Sequence, residues 1–480
     1  MQDLVQQIEY FEKISNQLEP SEPERNAYNL QIHQYANQFI HTIHSRNAYK
    51  NGKVTSGSLA IKKGKRSLAD LLDLYTKEVT ENGINPASGG HIGYIPGGGI
   101  YTSALADYLA DVTNEYAGMY FASPGAVTIE NEVLNWMKEV FHFPSTSVGN
   151  LTSGGSIANL IALTAARDFH GIKGEKIKQS VVYLSPQVHH CIHKALRIIG
   201  LEDIQIRELE LDSRHRVQVD QLQKILAYDL QNGLIPFCII ASAGTTDTGA
   251  VDPLEEMGRI AHRNNCWFHI DAAYGGFFIL TASKKHLFKG IEQADSLVVD
   301  PHKGLFLPYG TGAVLVKNKE AVFHSNHYTA HYLQDALADD YPVNPADVSP
   351  ELTKHFRGLR LWLPLQLHGI EPFIACLEEK ILLARYFRNE LVRLGFEVGP
   401  EPDLSVSYFW YPAKNMDENV FNKKLMDLIH QDGGIFMSST ILGGKFVIRL
   451  AILSFRTKKH TIDKSISLLI NALGKLNIDN

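Results

Sequence analysis

Between residues 180 and 271 short apolar runs alternate with longer amphipathic stretches, and that rhythm limits the possible folds more than any other feature of the chain. Strands are expected at 181–184, 204–206, 235–241 and 267–271, with helices at 189–199, 219–231 and 254–264 between them. Runs so uniformly apolar have no polar face to turn to water, so both of their faces must be covered. Connections of helix length rule out hairpins, which leaves an α/β fold with a mainly parallel central sheet flanked by helices. Asp252 is expected to cap the helix at 254–264, with Pro253 at its first position. Two more strands, at 297–299 and 312–316, bracket Asp300-Pro-His-Lys303. Lys303 therefore follows directly on an apolar strand, where open α/β sheets keep their ligands. A desolvated amine in that place can form a Schiff base with a carbonyl compound. A surface lysine in a turn is the alternative that this segment alone leaves open.

The 480 residues are 44% hydrophobic, enough for a large core divided among more than one unit. A helical N-terminal segment (1–95), a large domain (96–345) and a smaller α+β C-terminal domain (346–480) are expected. Forty-six basic against 52 acidic residues leave a formal charge of −6, spread along the chain. That pattern offers no basic stripe to nucleic acid or to an anionic membrane. Cys191, Cys238, Cys266 and Cys376 are too scattered for a disulfide framework or a zinc site. Residues 1–20 lack the apolar core of a signal peptide, and 359–377 is interrupted by Arg360, Pro364, His368, Glu371 and Pro372. No membrane span is expected, and the protein reads as cytoplasmic.

Residues 1–80 read as helices, with Val5, Ile8, Tyr10 and Phe11 on one apolar face and Tyr28, Ile32, Tyr35, Phe39 and Ile43 on another. Ser67 and Asp70 have the spacing of a capping box, with Asp in place of Glu. Residues 86–99 then carry six glycines and two prolines, which mark either a linker or a close approach of backbone or ligand. Tyr94 and Ile95 within this run argue against a solvated linker. Residues 148–160 read as a Gly/Ser turn entering a helix at 157–169. Free N–H groups at such a start suit a phosphate, and an ordinary helix capped by Ser153 or Ser156 is the plainer alternative. Asp271 closes an apolar strand, where a carboxylate is costly unless a cation meets it. His189 and His193 stand four residues apart at a helix start, yet no glutamate completes an HExxH pattern, and no metal is expected.

Five motifs in order are Ser153-Gly-Gly-Ser156, Ser185-Pro-Gln-Val-His189, Gly244-Thr-Thr246, His269-Ile-Asp-Ala-Ala-Tyr-Gly275 and Asp300-Pro-His-Lys303. Together they resemble the pyridoxal-phosphate-dependent amino-acid decarboxylases of the aromatic-amino-acid and glutamate decarboxylase group, over roughly residues 85–360. The resemblance implies fold type I, pyridoxal 5'-phosphate as cofactor, and a homodimer with active sites at its interface. It implies that Lys303 holds the cofactor as a Schiff base, that Asp271 pairs with the pyridinium nitrogen, and that His189 stacks on one ring face while Ala273 leaves room on the other. Gly154, Gly155, Ser156 and His302 would receive the phosphate, with Thr246 close to the ring. Tyr94, Ile95, Pro96 and Gly97 would stand beside the amino-acid substrate. Tyr332, with Tyr341 in reserve, would return the proton to the α-carbon from a polar lid, and its loop and Tyr94 to Gly97 would serve different subunits. The implied reaction is decarboxylation of an L-amino acid to the amine and carbon dioxide. Tyr101-Thr-Ser-Ala-Leu-Ala-Asp107 resembles the aromatic branch and favours an aromatic substrate.

Some residues depart from that pattern. Aromatic members commonly have asparagine where Asp300 stands and tryptophan where Gly304 stands. An ionised aspartate only accepts hydrogen bonds and repels a phosphate, so Asp300 is expected to turn away or to be held by neighbouring donors. Beyond residue 350 a helix, strands at 405–410 and 446–452 and a closing helix at 461–473 are expected to pack the small domain. Arg449, within a strand, is expected in a structural ion pair. Three other functions share some of these features. A carbon–carbon lyase like sphingosine-phosphate lyase has a related Asp-x-His-Lys segment but needs a second basic cluster, which the glycine run lacks. An oxidative decarboxylase would release an aldehyde, and a catalytically inactive protein would bind the cofactor alone. If Tyr332 returns the proton, Tyr332→Phe raises aldehyde and peroxide relative to amine; an unchanged product ratio would count against that role.

Overall fold

The computed structural model describes residues 1–327 and 342–478. At its centre lies a seven-stranded sheet in the order Val148–Thr152, Gly312–Val316, Ser296–Val299, Trp267–Asp271, Ile235–Ser242, Ser180–Leu184, Gln205–Glu208. Only Gly312–Val316 runs against its neighbours, and the remaining pairings are parallel. The mainly parallel sheet expected from the alternation is therefore present. Successive side chains point to opposite faces of the pleat and feed two cores. Val181, Tyr183, Ile239, Phe268 and Ile270 face one of them. Val182, Leu184, Cys238, Ile240 and Trp267 face the other, beneath the helix Gly155–Phe169. That helix presents Ala158, Ala162, Ala165 and Ala166, and such small residues let it lie close to the sheet.

The shared strand direction decides where the polar motifs go. The strands Val148–Thr152, Ser180–Leu184, Ile235–Ser242, Trp267–Asp271 and Ser296–Val299 end on one edge of the sheet, and each of the five motifs sits at one of those ends. Beside this layer the four strands Glu397–Val398, Val406–Trp410, Lys445–Ala451 and Ser438–Leu442 form an antiparallel sheet in that order. The helices Glu371–Arg393, Glu418–Asp432 and Lys459–Ile478 pack with it around a third core. The N-terminal helices Gln2–Ser15 and Glu22–Thr42 bury none of their residues, and Val5, Ile8, Tyr10 and Phe11 stay exposed. Among the described residues no helix is long and apolar enough to cross a membrane.

Several local expectations need correction. Val148–Thr152 is a strand rather than part of a turn, because Gly312–Val316 supplies its ladder. The helix after it starts at Gly155 with Gly154 as cap residue and no side-chain cap, so neither Ser153 nor Ser156 plays that part. His189 lies just before its helix, Cys191–Ile198. Asp252 does not cap the helix Leu254–Arg263; its carboxylate accepts from the backbone N–H groups of Val217 and Ser242 at 2.9 and 2.8 Å. Burial pushes this carboxyl up to about 6. The single helix expected after residue 350 is two, Leu359–His368 and Glu371–Arg393. Ser67 does cap its helix, accepting from the Asp70 N–H at 3.1 Å.

The glycine run is packed, not solvated. A Cβ at Gly97 would overlap the carbonyl oxygen of His302, and the Arg456 guanidinium donates to the carbonyls of Ala87 and Gly98 at 3.1 and 2.6 Å. Within the run His91 is 2% exposed and packs on the ring of Phe436, with neither ring nitrogen hydrogen-bonded. Burial pushes its imidazole down to about 4. Below about pH 6.5 the unfolded chain takes up a proton that the folded His91 refuses. Its neutral form therefore weighs against folding progressively as the pH falls from about 6.5 towards 4. His91→Phe should raise the melting temperature by a margin that widens between pH 8 and pH 5. Asp252 titrates in both proteins and cancels in the comparison; a margin independent of pH would refute the account.

Candidate active site

At the strand ends lies a cavity of about 350 Å³. Every residue expected at the cofactor lines it: Gly154, Gly155 and Ser156 from the helix start, His189, Thr246, Asp271 and Ala273 from three strand ends, and His302 and Lys303. Tyr94, Ile95, Pro96 and Gly97 are not part of this lining. Tyr94 is 57% exposed, and Gly97 backs the wall from behind His302. Tyr332 and Tyr341 lie outside the described residues.

One end of the cavity is built to receive an anion. The uncapped helix Gly155–Phe169 points its first-turn N–H groups and the positive end of its dipole there, with Ser153 and Ser156 beside them. His302 donates from Nδ1 to the carbonyl of Thr311 at 2.7 Å. Burial holds its imidazole below the ordinary range although Asp300 pulls the other way, so Nε2 is a bare acceptor.

The opposite demand is made by Asp271. It is 8% exposed, with Oδ1 accepting from the Ala273 N–H at 3.1 Å and Oδ2 from Asn159 Nδ2 at 3.2 Å. Among the described residues no cation forms a salt bridge with it, so its charge is held by neutral donors alone. His189 stands nearby and accepts at Nδ1 from the Cys191 N–H at 3.3 Å. Burial lowers its imidazole, against the pull of Asp271, and keeps the ring neutral. Burial and Asp271 together push the Cys191 thiol up to about 12, so it adds no charge.

Lys303 lies between these ends, with Nζ 2.9 Å from Asp300 Oδ2. Burial would lower its ammonium, but the charge and hydrogen bond of Asp300, reinforced by Asp271, outweigh that and raise it. Asp300 therefore does not turn away from the site; the neighbouring donor that holds it is Lys303 itself. Its Oδ2 is also 3.6 Å from His302 Nε2, while Oδ1 is buried and has no hydrogen-bond partner among the described residues. A Cβ on Gly155 would sit 3.1 Å from Oδ2, so the carboxylate reaches the anion-receiving helix start. Gly304 has no room for a tryptophan, because a Cβ there would lie 2.9 Å from that of Phe277.

One residue of the site, Asn159, escaped the sequence reading, and Arg449 behind its wall departs from its expected role. Asn159 is a polar side chain in a helix of small and apolar residues, and that mismatch was the available signal. Arg449 makes no ion pair among the described residues. Its buried guanidinium donates to the carbonyls of Thr246 at 2.8 Å and Tyr94 at 3.0 Å and to Ser438 Oγ at 3.0 Å. One side chain of the four-stranded sheet thus pins both the Thr246 loop and the glycine run at Tyr94.

An anion-receiving helix start, an amine and a buried carboxylate that lacks a cation suit a molecule with an anionic tail, a carbonyl carbon and a protonatable ring nitrogen. The donor set fits pyridoxal 5'-phosphate, with Asp300 as the one discordant charge. Because Gly97 supports the His302–Lys303 backbone, Gly97→Ala should lower stability by about 2 kcal/mol and weaken cofactor binding. Denaturant unfolding of the cofactor-free protein and a cofactor titration followed by absorbance would check both; parent-like values would show that the approach is not needed.

Comparison with known proteins leads the same way. Residues 80–412 match the pyridoxal-dependent decarboxylase conserved domain. The chain is 35% identical over 372 residues to an aromatic-L-amino-acid decarboxylase of Bacillus atrophaeus, covering 76% of this chain and 77% of that one. It is 32% identical over 370 residues to a phenylacetaldehyde synthase of Arabidopsis thaliana, covering 73% and 75%. The crystal structure of Oryza sativa TDC with PLP and tryptamine superposes with a TM-score of 0.89 at 21% identity, covering 95% of this chain and 99% of that one. The chain belongs to the pyridoxal-dependent decarboxylase family and is an amino-acid decarboxylase of fold type I that uses pyridoxal 5'-phosphate.

Proposed function

We propose that the protein converts an aromatic L-amino acid to its amine and carbon dioxide in the cavity around Lys303. The meeting of Lys303, Asp271 and the uncapped helix start in one cavity carries this reading. The aromatic preference is supported by the names of the relatives. Pyridoxal phosphate, when bound, supplies an electron-poor ring that takes up the electron pair left as carbon dioxide departs.

The chain's own residues do the rest. Lys303 would supply the amine that anchors the cofactor's carbonyl carbon. Asp271 would face the ring nitrogen and keep it protonated. The neutral ring of His189 would cover one face of the cofactor, and the small side chain of Ala273 would leave the other free. Gly154, Gly155 and Ser156 would hold the phosphate, with His302 lining that end of the cavity and Thr246 bordering the ring. Tyr94, Ile95, Pro96 and Gly97 border the approach of the substrate, and Tyr332 returns the proton.

A homodimer completes the site in this reading. The exposed stripe of Tyr101, Leu105, Tyr108, Leu109 and Val112 along the helix Tyr101–Thr113 supports it, as do the uncovered apolar faces of the N-terminal helices. Three buried thiols and one half-buried thiol, all unpaired, support a reducing, cytoplasmic setting. The phenylacetaldehyde synthase among the relatives favours a second reading, in which the product is an aldehyde.

The deciding experiment offers the cofactor-loaded enzyme a panel of L-amino acids, including hydroxylated aromatics, and measures carbon dioxide, amine, aldehyde and peroxide together. Amine in step with carbon dioxide from an aromatic member is the expected result, and Lys303→Ala should abolish it. Aldehyde with peroxide would establish the second reading. Turnover confined to non-aromatic members would overturn the substrate class, and full activity of the alanine variant would overturn the role of Lys303.

A further inference from the structure

On the face of the sheet beneath the helix Gly155–Phe169, the strand Trp267–Asp271 places Trp267, His269 and Asp271 in a row. A chain of hydrogen bonds links them. Trp267 Nε1 donates to Ser296 Oγ at 2.8 Å. Ser296, opposite His269 on the neighbouring strand, meets its Nδ1 at 2.8 Å. His269 Nε2 meets Asn159 Oδ1 at 2.7 Å, and Asn159 Nδ2 reaches Asp271 Oδ2 at 3.2 Å. Trp267, Asn159, His269 and Ser296 are all buried.

The carboxylate end of this chain sets the direction of its protons as far as His269 Nε2, and the indole end leaves the Ser296 hydrogen free for Nδ1. An ionised carboxylate only accepts, so Asn159 must turn its amide N–H towards Asp271 and its carbonyl towards His269. His269 Nε2 must then carry a hydrogen. An indole N–H only donates, so Ser296 Oγ receives it and has its own hydrogen left for His269 Nδ1. The two requirements meet on one tautomer of a neutral imidazole. Burial, which pushes His269 down to about 4 against the pull of Asp271 and of the Ser296 backbone, agrees with that neutral state. The second amide hydrogen of Asn159 points to Cys191 Sγ at 3.4 Å, so both of its donors are used.

We infer that Asn159, His269, Ser296 and Trp267 are positioning residues that hold Asp271 by a one-way, uncharged chain, so that its negative charge is spent on the cofactor's ring nitrogen alone. The inference rests on the reading of Asp271 as the partner of that nitrogen. A cation in the place of Asn159 would orient the carboxylate equally well but would also neutralise it. The chain supplies orientation without a counter-charge.

Two measurements test it. In the parent protein carrying 15N-histidine, with and without cofactor, long-range 1H–15N NMR should find the His269 signal in the neutral Nε2–H form. The signal is assigned by its loss in His269→Phe. An Nδ1–H form or an imidazolium would overturn the inference.

The second measurement compares the dissociation constants of pyridoxal phosphate and of its 1-deaza analogue, which has carbon in place of the ring nitrogen. The parent should prefer pyridoxal phosphate. His269→Phe should lose roughly ten- to hundredfold of that preference. His269→Gln, which can still donate to Asn159, should recover most of it. Ser296→Ala, more distant from the cavity, should lose a smaller part and serves if the phenylalanine variant does not fold. A parent without any preference would overturn the reading of Asp271 itself. A parent with a preference that the His269 and Ser296 variants share in full would overturn only the chain.

Discussion

The site exists because six strands of the central sheet point the same way. Helices cover both faces of these strands, so a polar group without a hydrogen-bond partner is excluded along most of their length. Polar residues are driven to the strand ends, and a common direction puts five such ends side by side. The cavity is thus a consequence of how the core is buried. The exceptions prove informative. His269 and Ser296 sit within an apolar layer, and each is held by directed hydrogen bonds rather than by solvent.

That arrangement explains what could be read from the sequence. The alternation of strands and helices was visible because apolar runs and amphipathic stretches alternate locally, and the five motifs follow from the strand ends. The strand Val148–Thr152 was hidden because Gly149 and Asn150 look like turn residues; its extended form comes from pairing with a strand more than 150 residues later in the chain. Asp252 sat where a helix cap belongs, yet its partners are the distant N–H groups of Val217 and Ser242. Asn159 stands 112 residues from the carboxylate it holds, and nothing near it in sequence announces that partner. Local chemistry was legible; satisfaction of buried polar groups across the fold was not.

Arg449 illustrates the same limit at the boundary between the two sheets. A buried guanidinium without a carboxylate is costly. Here the cost is offset by the carbonyl dipoles of Thr246 and Tyr94 and by Ser438 Oγ. The Thr246 loop, the glycine run and the small sheet therefore share one hub. A shift of the small sheet moves the wall of the cavity, because the hydrogen bonds that stabilise the arginine are the ones that fix that wall.

The charges of the cavity follow from these constraints. Asp271 and Asp300 are acceptors, Lys303 is the one ammonium between them, and burial keeps His189 and His302 neutral. Asp300 takes Lys303 at 2.9 Å, which leaves Asp271 with neutral donors only. One net negative charge remains among these side chains, and it lies at the end away from the helix start. A ligand that brings an anion to the helix dipole and a protonated ring nitrogen to Asp271 meets both ends. Asp300 sharpens this division: its carboxylate takes the direct contact with Lys303, and Asp271 is left without a salt bridge among the described residues.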